Sequence, residues 1–240
     1  MEKEIKLYSY ILKHDFGFAP NTQGGFCTLA CCKPDIRKNI GRNFDRFKDH
    51  YDFWVVGISS ADKGENKNKL IYAMRVTEVL TFDKYFEDGR FSIKIPKWTE
   101  DRKSPERAGD NIYKYKGHGN RKKADSYEQL KSYHNNSITE KKIKENSNFH
   151  KKRDLEQGEF YVLISDEYYY FGKEPKTLDR SLVNLYKAET GFHIRQKFKF
   201  DKKTLDAFKK YILELKKMPK SKGIKNRDTD SNKKNNSSCA

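Results

Sequence analysis

The sequence predicts an α+β fold: a small mixed β-barrel with peripheral helices and a long polar insertion. Three observations predict it. Apolar, β-branched runs stand out at FWVVGIS (53–59), KLIYAMRVTEVL (69–80) and FYVLIS (160–165), which is the composition of buried strands. The first two runs are joined by a polar loop, SADKGENKN (60–68), as in a hairpin. Helical patterns do not alternate with the strands, so a doubly wound parallel sheet is excluded.

Taken in order, residues 6–12 (KLYSYIL) read as the first strand. The stretch 14–37, HDFGFAPNTQGGFCTLACCKPDIR, then packs in two turn signals, Ala19-Pro20-Asn21 and Gly24-Gly25, with three cysteines and a basic exit. A loop that dense after a first strand is more often a binding or catalytic loop than a connector. Within it, residues 27–37 read as a short helix or a second strand, buried either way. Residues 35–47 form a basic amphipathic helix or turn. After the hairpin, residues 81–86 read as a short helix with Thr81 as its cap. Residues 91–95 alternate like an edge strand. Residues 98–149 are a polar stretch too long for a functionless loop, with Asn111-Ile112-Tyr113 near its start. YYYFG (168–172) is a short aromatic strand or turn, and residues 178–187 read as a helix. FHIRQKFKF (192–200) alternates, with His193, Arg195, Lys197 and Lys199 on one face. Asp201 caps a final amphipathic helix, 202–217. Residues 1–217 are thus expected to form a single domain. Residues 218–240 are expected to be a disordered basic tail of Lys, Asn and Ser.

The chain has 240 residues, with 51 Lys and Arg against 34 Asp and Glu, a net charge of +17. The tail from residue 216 holds eight basic and two acidic residues, so most of the excess lies in the body. Such a field steers polyanions, although lysine-rich, solvated surfaces also arise without a partner. Residues 121–153 are locally basic, with ten basic and four acidic residues. No apolar run is long enough to span a bilayer and no export signal is visible, so a cytoplasmic setting with reduced thiols is expected.

Common catalytic signatures fail: there is no G-x-x-x-x-G-K-[ST], G-x-S-x-G, strand-to-helix G-x-G-x-x-G or H-E-x-x-H. First guesses of P-loop NTPase, α/β-hydrolase, Rossmann dehydrogenase and zincin therefore fall. Cys27, Cys31 and Cys32 with His14 offer soft ligands, but C-x-x-x-C-C lacks paired C-x-x-C spacing. Buried packing is the better reading of these cysteines, so no metal is assigned and no cofactor is implied. Thiolate chemistry with His14, His134, His150 or His193 stays open as an alternative. His14-Asp15, Asp88, Arg90, His134, His150, His193 and Arg195 gather at strand ends and polar loops, which argues for a polar pocket. Trp54, Tyr72, Tyr85, Phe86, Tyr113 and the 168–171 cluster supply aromatics, most of them for the core and a few for base stacking.

Seven segments occur in order: LYSYILKHDFGFAPN, GGFCTLACCKPDIR, WVVGISS, LIYAMRVTEVLTFDKYFEDGRF, GDNIYKY, YVLISDEYYYFG and GFHIRQKF. Together they resemble the second family of nucleotide modification associated domains, found in bacteria and phages near DNA-modification genes. The resemblance covers most of residues 6–215. The chain departs from that family in a longer 38–51 link and in Asp52-Phe53-Trp54, where members usually have Gly-Asp-Trp. Ser132 with His134, and Asn146 or Asn148 with His150, keep the remnants of its later motifs. WVVGIS followed by IYAMRVTEVLTFDKYFEDGRF is more loosely similar to PUA-like (EVE, ASCH and YTH) domains. Those are small barrels that hold a modified base in an aromatic pocket.

The resemblance implies a module that recognises modified bases or nucleotides in DNA, within a DNA-modification or phage-defence system. Its pocket would take His14, Asp15, Asn21 and Arg90 for polar edges and Trp54 and Tyr170 for stacking, with Tyr113, His193 and Arg195 nearby. Lysines of the insertion and tail would hold phosphates. The alternative is an enzyme that installs or edits the modification with His14, Asp15, His134, His150 and His193 as acid–base groups. A third possibility is an interaction subunit with protein partners in such a system, away from any membrane.

Overall fold

A computed structural model describes residues 2–101, 104–132, 150–187 and 195–218. β1 (Glu4–Leu12) runs parallel to β3 (Tyr51–Ser59), with Leu7 beside Trp54. Parallel neighbours need a crossover. Here it contains the 14–33 loop, β2 (Cys27–Leu29) and helix α1 (Pro34–Phe47). β4 (Leu70–Arg75) returns antiparallel to β3, and β9 (Glu167–Tyr170) pairs with β4. The short β10 (Gln196–Lys197) pairs with the free side of β1, giving the order β10-β1-β3-β4-β9. A second sheet has the order β2-β8-β5, from β5 (Glu78–Thr81) and β8 (Tyr161–Ser165).

The two sheets share one bent ladder. Arg75 lies opposite Glu167 and Glu78 opposite Ile164, so the register runs on from β4·β9 into β5·β8 without slip. The apolar run 69–80, expected as one strand, is bent at Val76-Thr77. Val76 N–H bonds to Phe53 O (2.8 Å) and Thr77 N–H to Ile164 O (2.9 Å), so each half serves a different sheet. Within β3, where Leu12 and Tyr72 crowd the strand, Gly57 is required, because a Cβ there would collide with both side chains.

The α+β class is as expected, but the barrel does not close: both sheets are open. α1 is the physical reason. Its Ile36, Ile40 and Phe44 fill the angle between the sheets, packing with Tyr10, Val55 and Tyr72 of one and Cys27, Leu29 and Leu163 of the other. With a helix in that angle, the outer edges do not meet. The opposite face of the large sheet is covered by α3 (Lys202–Lys216). Its Phe208, Ile212 and Leu215 pack with Leu7, Trp54, Val56 and Tyr169. Asp201 caps α3 as expected, accepting from Thr204 N–H at 2.6 Å.

Other elements differ from the sequence pattern. Residues 91–95 lie in a 3-10 helix (Gly89–Lys94), not an edge strand, because Lys94 turns inward to buried acceptors. A 3-10 turn (Arg180–Leu185) stands where a longer helix was expected. Helix α2 (Phe82–Glu87) starts after Thr81, whose side chain makes no cap bond. The polar stretch after residue 98 is not structureless. It contains a hairpin, β6 (Tyr113–Tyr115) with β7 (Tyr127–Gln129). Buried Tyr113 and Tyr127 pin it to a third cluster that includes Phe82, Tyr85, Phe91 and Phe160. The tail beyond residue 218 lies outside the described residues.

Phe208 is fully buried, with its ring edge-on to Trp54 at 5.8 Å. Phe208→Ala is expected to cost about 3–5 kcal/mol. Urea unfolding should read this, with a red shift of Trp54 emission as α3 loosens from the sheet.

Candidate functional site

The loop that follows β1 is shaped by the alternation in HDFGF. His14, Phe16 and Phe18 share one side, with ring centroids 5.5 and 6.5 Å apart and planes within 13°. This is an offset stack, exposed at His14 and sinking into the protein at Phe18. Asp15 faces the other way and is buried. It accepts from Gly17 N–H at 3.1 Å and from the Tyr170 hydroxyl at 2.7 Å. Beside this pair the Tyr72 hydroxyl donates to Tyr10 at 2.8 Å. Burial pushes both phenols well above their ordinary range, and the charge of Asp15 adds to the effect. Both therefore stay protonated at any ordinary pH. Tyr10 accepts the Tyr72 proton and has no acceptor for its own among the described residues.

Lys33 completes this wall. Its ammonium lies 4.7 Å from the Tyr10 ring centroid, a cation–π contact, and only 9% of the residue is exposed. Lysine is seldom so covered. Its backbone is unusual too: Cys32 (φ 61°) and Lys33 (φ 44°) are successive non-glycine residues in the left-handed region. Such positions cost roughly 1–3 kcal/mol each and persist where surroundings over-determine them.

A buried ion pair supplies that constraint. Arg37 and Asp154 are both fully buried. Asp154 accepts from Cys32 N–H at 2.9 Å and from the Tyr113 hydroxyl at 2.9 Å. Arg37 donates to Cys32 O (2.8 Å), Tyr161 O (2.8 Å) and Asp154 O (2.7 Å). Gly158 lets the guanidinium approach, since a Cβ there would strike it. Lys33 is then the residue before α1, with Pro34 opening the helix.

The middle of the loop is tied by a second buried network. Lys94 Nζ reaches Asn21 O (2.8 Å), Asn21 Oδ1 (3.1 Å), Phe26 O (2.9 Å) and Thr28 Oγ1 (3.1 Å). Thr28 donates to Asp110 at 2.6 Å, and Tyr85 donates to it at 2.8 Å. Burial lowers the Lys94 pKa from its ordinary 10.5 to about 8, against the opposing pull of Asp110. Burial likewise raises the Asp110 carboxyl, while Lys94 and the two hydroxyls hold it down.

The expected site residues divide among these environments. Asp15 and Tyr170 meet directly, with His14 adjacent in the chain. Asn21 is fully buried and works as a strut to Lys94 and Ala108 O (3.0 Å). Tyr113 is bound to Asp154. Trp54 and Tyr170 were both expected to stack on the base, but they point to opposite faces of the large sheet, Trp54 against α3 and Tyr170 toward Tyr10. Strand alternation makes that separation unavoidable. Arg90 is spread over Glu78 and Asp88 and lies 4.9 Å from the Phe91 ring. His150 sits beside Arg153 at 3.0 Å. Arg195 is exposed, and its carbonyl accepts from Ile11 N–H at 3.0 Å, at the sheet edge. His134 and His193 lie outside the described residues. The three loop cysteines are buried free thiols, and burial pushes Cys27 far up. Among the described residues no group of three or more His, Cys, Asp or Glu could hold a metal ion.

Sequence reasoning missed Lys33, Phe16, Phe18, Tyr10 and Lys94. The alternation of HDFGF could have revealed the ring stack. No local pattern could have revealed Lys94 or the strain at Lys33. A separate cleft of ≈ 270 Å³ at the other end of the large sheet is lined by Lys3, Lys48 and Arg75 with Asp49, Asp52 and Asp166. Its charges offset one another, and Arg75 is already tied to Asp52 (3.4 Å) and Glu167 (2.6 Å). The loop wall is different. It combines a cation, a carboxylate and phenol hydroxyls, all buried, next to a parallel ring stack whose exposed end at His14 offers a face to a planar heterocycle.

Comparison with known proteins adds one finding. The sequence model of the family described as Nucleotide modification associated domain 2 matches residues 4–228. No curated protein and no solved structure matches the chain.

Lys94→Met leaves Asp110 buried without its cation, and a loss of about 3–5 kcal/mol is expected from urea unfolding. Between pH ~8 and ~10.5 the unfolded chain carries a Lys94 proton that the native state lacks. The contribution of this group to stability therefore rises across that window and is lost as pH falls through about 8. The gap between wild type and Lys94→Met should widen from pH ~7.5 to ~9.5.

Proposed function

The chain belongs to the nucleotide modification associated domain 2 family, and on that premise we propose that it recognises modified bases or nucleotides in DNA within a DNA-modification or phage-defence system. The observation that carries this reading is the wall made by Lys33, Tyr10, Asp15 and Tyr170 beside the His14–Phe16–Phe18 stack. A base stacked on His14, the exposed end of the ring row, would lie one residue from Asp15 and its Tyr170 partner, and Lys33 would face an anionic oxygen. Two buried networks fix the loop at its middle and its exit, so the ordering cost is met on folding instead of on binding.

The charge of the body suits the same partner. Lys114, Lys116, Lys122 and Lys123 on the β6–β7 hairpin, with Lys151 and Lys152 after it, make no ion pairs among the described residues. Lys151 has its pKa lowered by burial and then by Lys116, so like charges are held together there. Phosphates would relieve that repulsion, with affinity falling as salt rises. The hairpin is fixed to the body by the Arg121–Asp83 ion pair.

The Tyr170–Asp15 pair also supports the second reading, an enzyme acting on the base. In it Asp15 and His14 exchange protons with the substrate, with Lys33 steadying charge. The two readings part on turnover.

Asp15→Asn and Lys33→Ala are each expected to weaken binding of a modified oligonucleotide on the order of 10-fold or more, the worth of one hydrogen bond to a charged group. Fluorescence anisotropy with modified and unmodified duplexes at two salt concentrations measures it. Equal affinity for both at each salt would remove the reader. A changed nucleoside profile by mass spectrometry, abolished in Asp15→Asn, would establish the enzyme in its place.

A further inference from the structure

Residues 116–123, KGHGNRKK, join β6 to β7, and all eight are exposed. The run holds Lys116, Arg121, Lys122 and Lys123 and no acidic residue. On the strands below it Lys114 lies opposite Glu128, so those two charges offset each other and the net charge of the hairpin sits at its apex. The two glycines of the run, Gly117 (φ 84°) and Gly119 (φ 87°), take up left-handed backbone. A Cβ on Gly119 would also strike the Ser126 hydroxyl.

The turn is pinned from below. Lys116 N–H bonds to Ser126 O at 3.0 Å and Lys123 N–H to Asn120 O at 2.9 Å. The Asn120 side chain accepts from Lys122 N–H at 2.8 Å. The Tyr115 hydroxyl donates to Gly119 O at 2.8 Å, and the Tyr127 hydroxyl to Arg121 O at 3.0 Å. Two of the four cations serve as anchors. Arg121 lies 4.3 Å from the Tyr115 ring centroid and pairs with Asp83 of α2, and the Lys116 ammonium donates to Asp125 O at 2.7 Å. Lys122 and Lys123 differ: both are exposed, and neither ammonium has a hydrogen bond or ion pair among the described residues.

Two neighbouring ammoniums on a pinned backbone repel each other, and a polyanion relieves that repulsion. The composition of the apex decides which polyanion. Single strands are held in basic grooves by aromatic rings on which successive bases stack. Residues 116–123 contain no Phe, Tyr or Trp, their one ring is the small imidazole of His118, and the ring of Tyr115 beside them already carries Arg121. Charge without stacking platforms suits a backbone whose bases are stacked on one another, which is a duplex. The dimensions agree: paired strands stand about 4.8 Å apart, and a two-stranded ribbon is an element that the roughly 12 Å major groove admits.

We infer that the turn 116–123 is a duplex anchor, entering the major groove of double-stranded DNA with Lys122 and Lys123 on the phosphates that flank it. This rests on the nucleotide reading above and goes beyond it by assigning the strand state of the DNA. The anchor reads no base; it sets where the duplex lies relative to the pocket. That relation is fixed, because Tyr113, Ala124 and Tyr127 of the hairpin share one buried cluster with Phe18, the inner end of the ring row.

The test uses the full-length protein and its double variant Lys122→Gln, Lys123→Gln, with tryptophan emission and the urea midpoint confirming that the variant is folded. Anisotropy is read with a labelled unmodified duplex and with one of its strands alone, each across a salt series. The expected result is a duplex affinity lower by about 10-fold or more, a duplex salt slope smaller by about 2, and single-strand affinity changed by about 3-fold or less. Distamycin, a minor-groove ligand, is expected to leave wild type on the duplex; full displacement would overturn the major-groove placement. Equal losses on duplex and single strand would overturn the duplex assignment and leave a general polyanion patch. Unchanged duplex affinity and slope, with Lys33→Ala still weakening binding, would overturn the anchor and spare the pocket. Wild type that binds neither DNA would remove the nucleotide reading and the anchor together.

Discussion

Arg37 and Asp154 carry full charges at zero exposure, and the rest of the site depends on how they are matched. Burying such charges costs several kcal/mol each unless their hydrogen-bonding capacity is filled. Here it is filled by backbone: Cys32 N–H and O, Tyr161 O and Asp154 O, with the Tyr113 hydroxyl as the side-chain partner. The pair thus ties together the exit of the 14–33 loop, the start of β8, the turn Arg153–Gln157 and the first strand of the hairpin. It also makes the left-handed conformation of Cys32 and Lys33 the cheapest one. Any other backbone path would strand Cys32 N–H or its carbonyl against a buried charge. Lys33 over Tyr10 is a consequence of that constraint.

The bent ladder explains why the loop has a place to lie. β4 and β5 are one chain path, as are β8 and β9, yet each pair serves two sheets set at an angle. α1 fills the inside of that angle with Ile36, Ile40 and Phe44, so the sheets stay open. The 14–33 segment runs from the end of β1 through β2 to α1 and so links the two sheets. Its middle is fastened by Lys94, which gives the backbone of Asn21 and Phe26 a cation to bind. A loop fixed at its middle and exit by fully buried polar groups holds Asp15 against Tyr170, and Lys33 over Tyr10, in one arrangement.

Much of this was legible in particular residues. FWVVGIS and FYVLIS were strands because nothing else buries so continuous an apolar run in so few residues. Asp201 announced α3, and the polar run 60–68 announced a reversal. The cysteines were legible as packing because their spacing suits no tetrahedral metal. Asp15 and Tyr170 were named from sequence, but their contact joins residues far apart in the chain, which no spacing argument reaches. The bend at Val76-Thr77 was invisible for a related reason: both halves of the run are equally apolar, and only pairing with Phe53 on one side and Ile164 on the other separates them. Lys94, in a 3-10 turn, looked like one more surface lysine among many.

By itself the sequence determined the apolar strands at 6–12, 53–59 and 160–165, the helix start after Asp201, the burial of the loop cysteines, the basic character of the body and the family. These follow from local composition and order, which act over a few residues and leave a pattern in one dimension. The tertiary structure alone decided that the sheets stay open, that Trp54 and Tyr170 face opposite ways, that Lys33 is held over Tyr10, and that Arg121 is anchored on Asp83. Each of these is set by matching charges, rings or backbone groups from distant segments. The energy of such a match depends on burial and on distances of a few ångströms, quantities that exist only once the chain has folded.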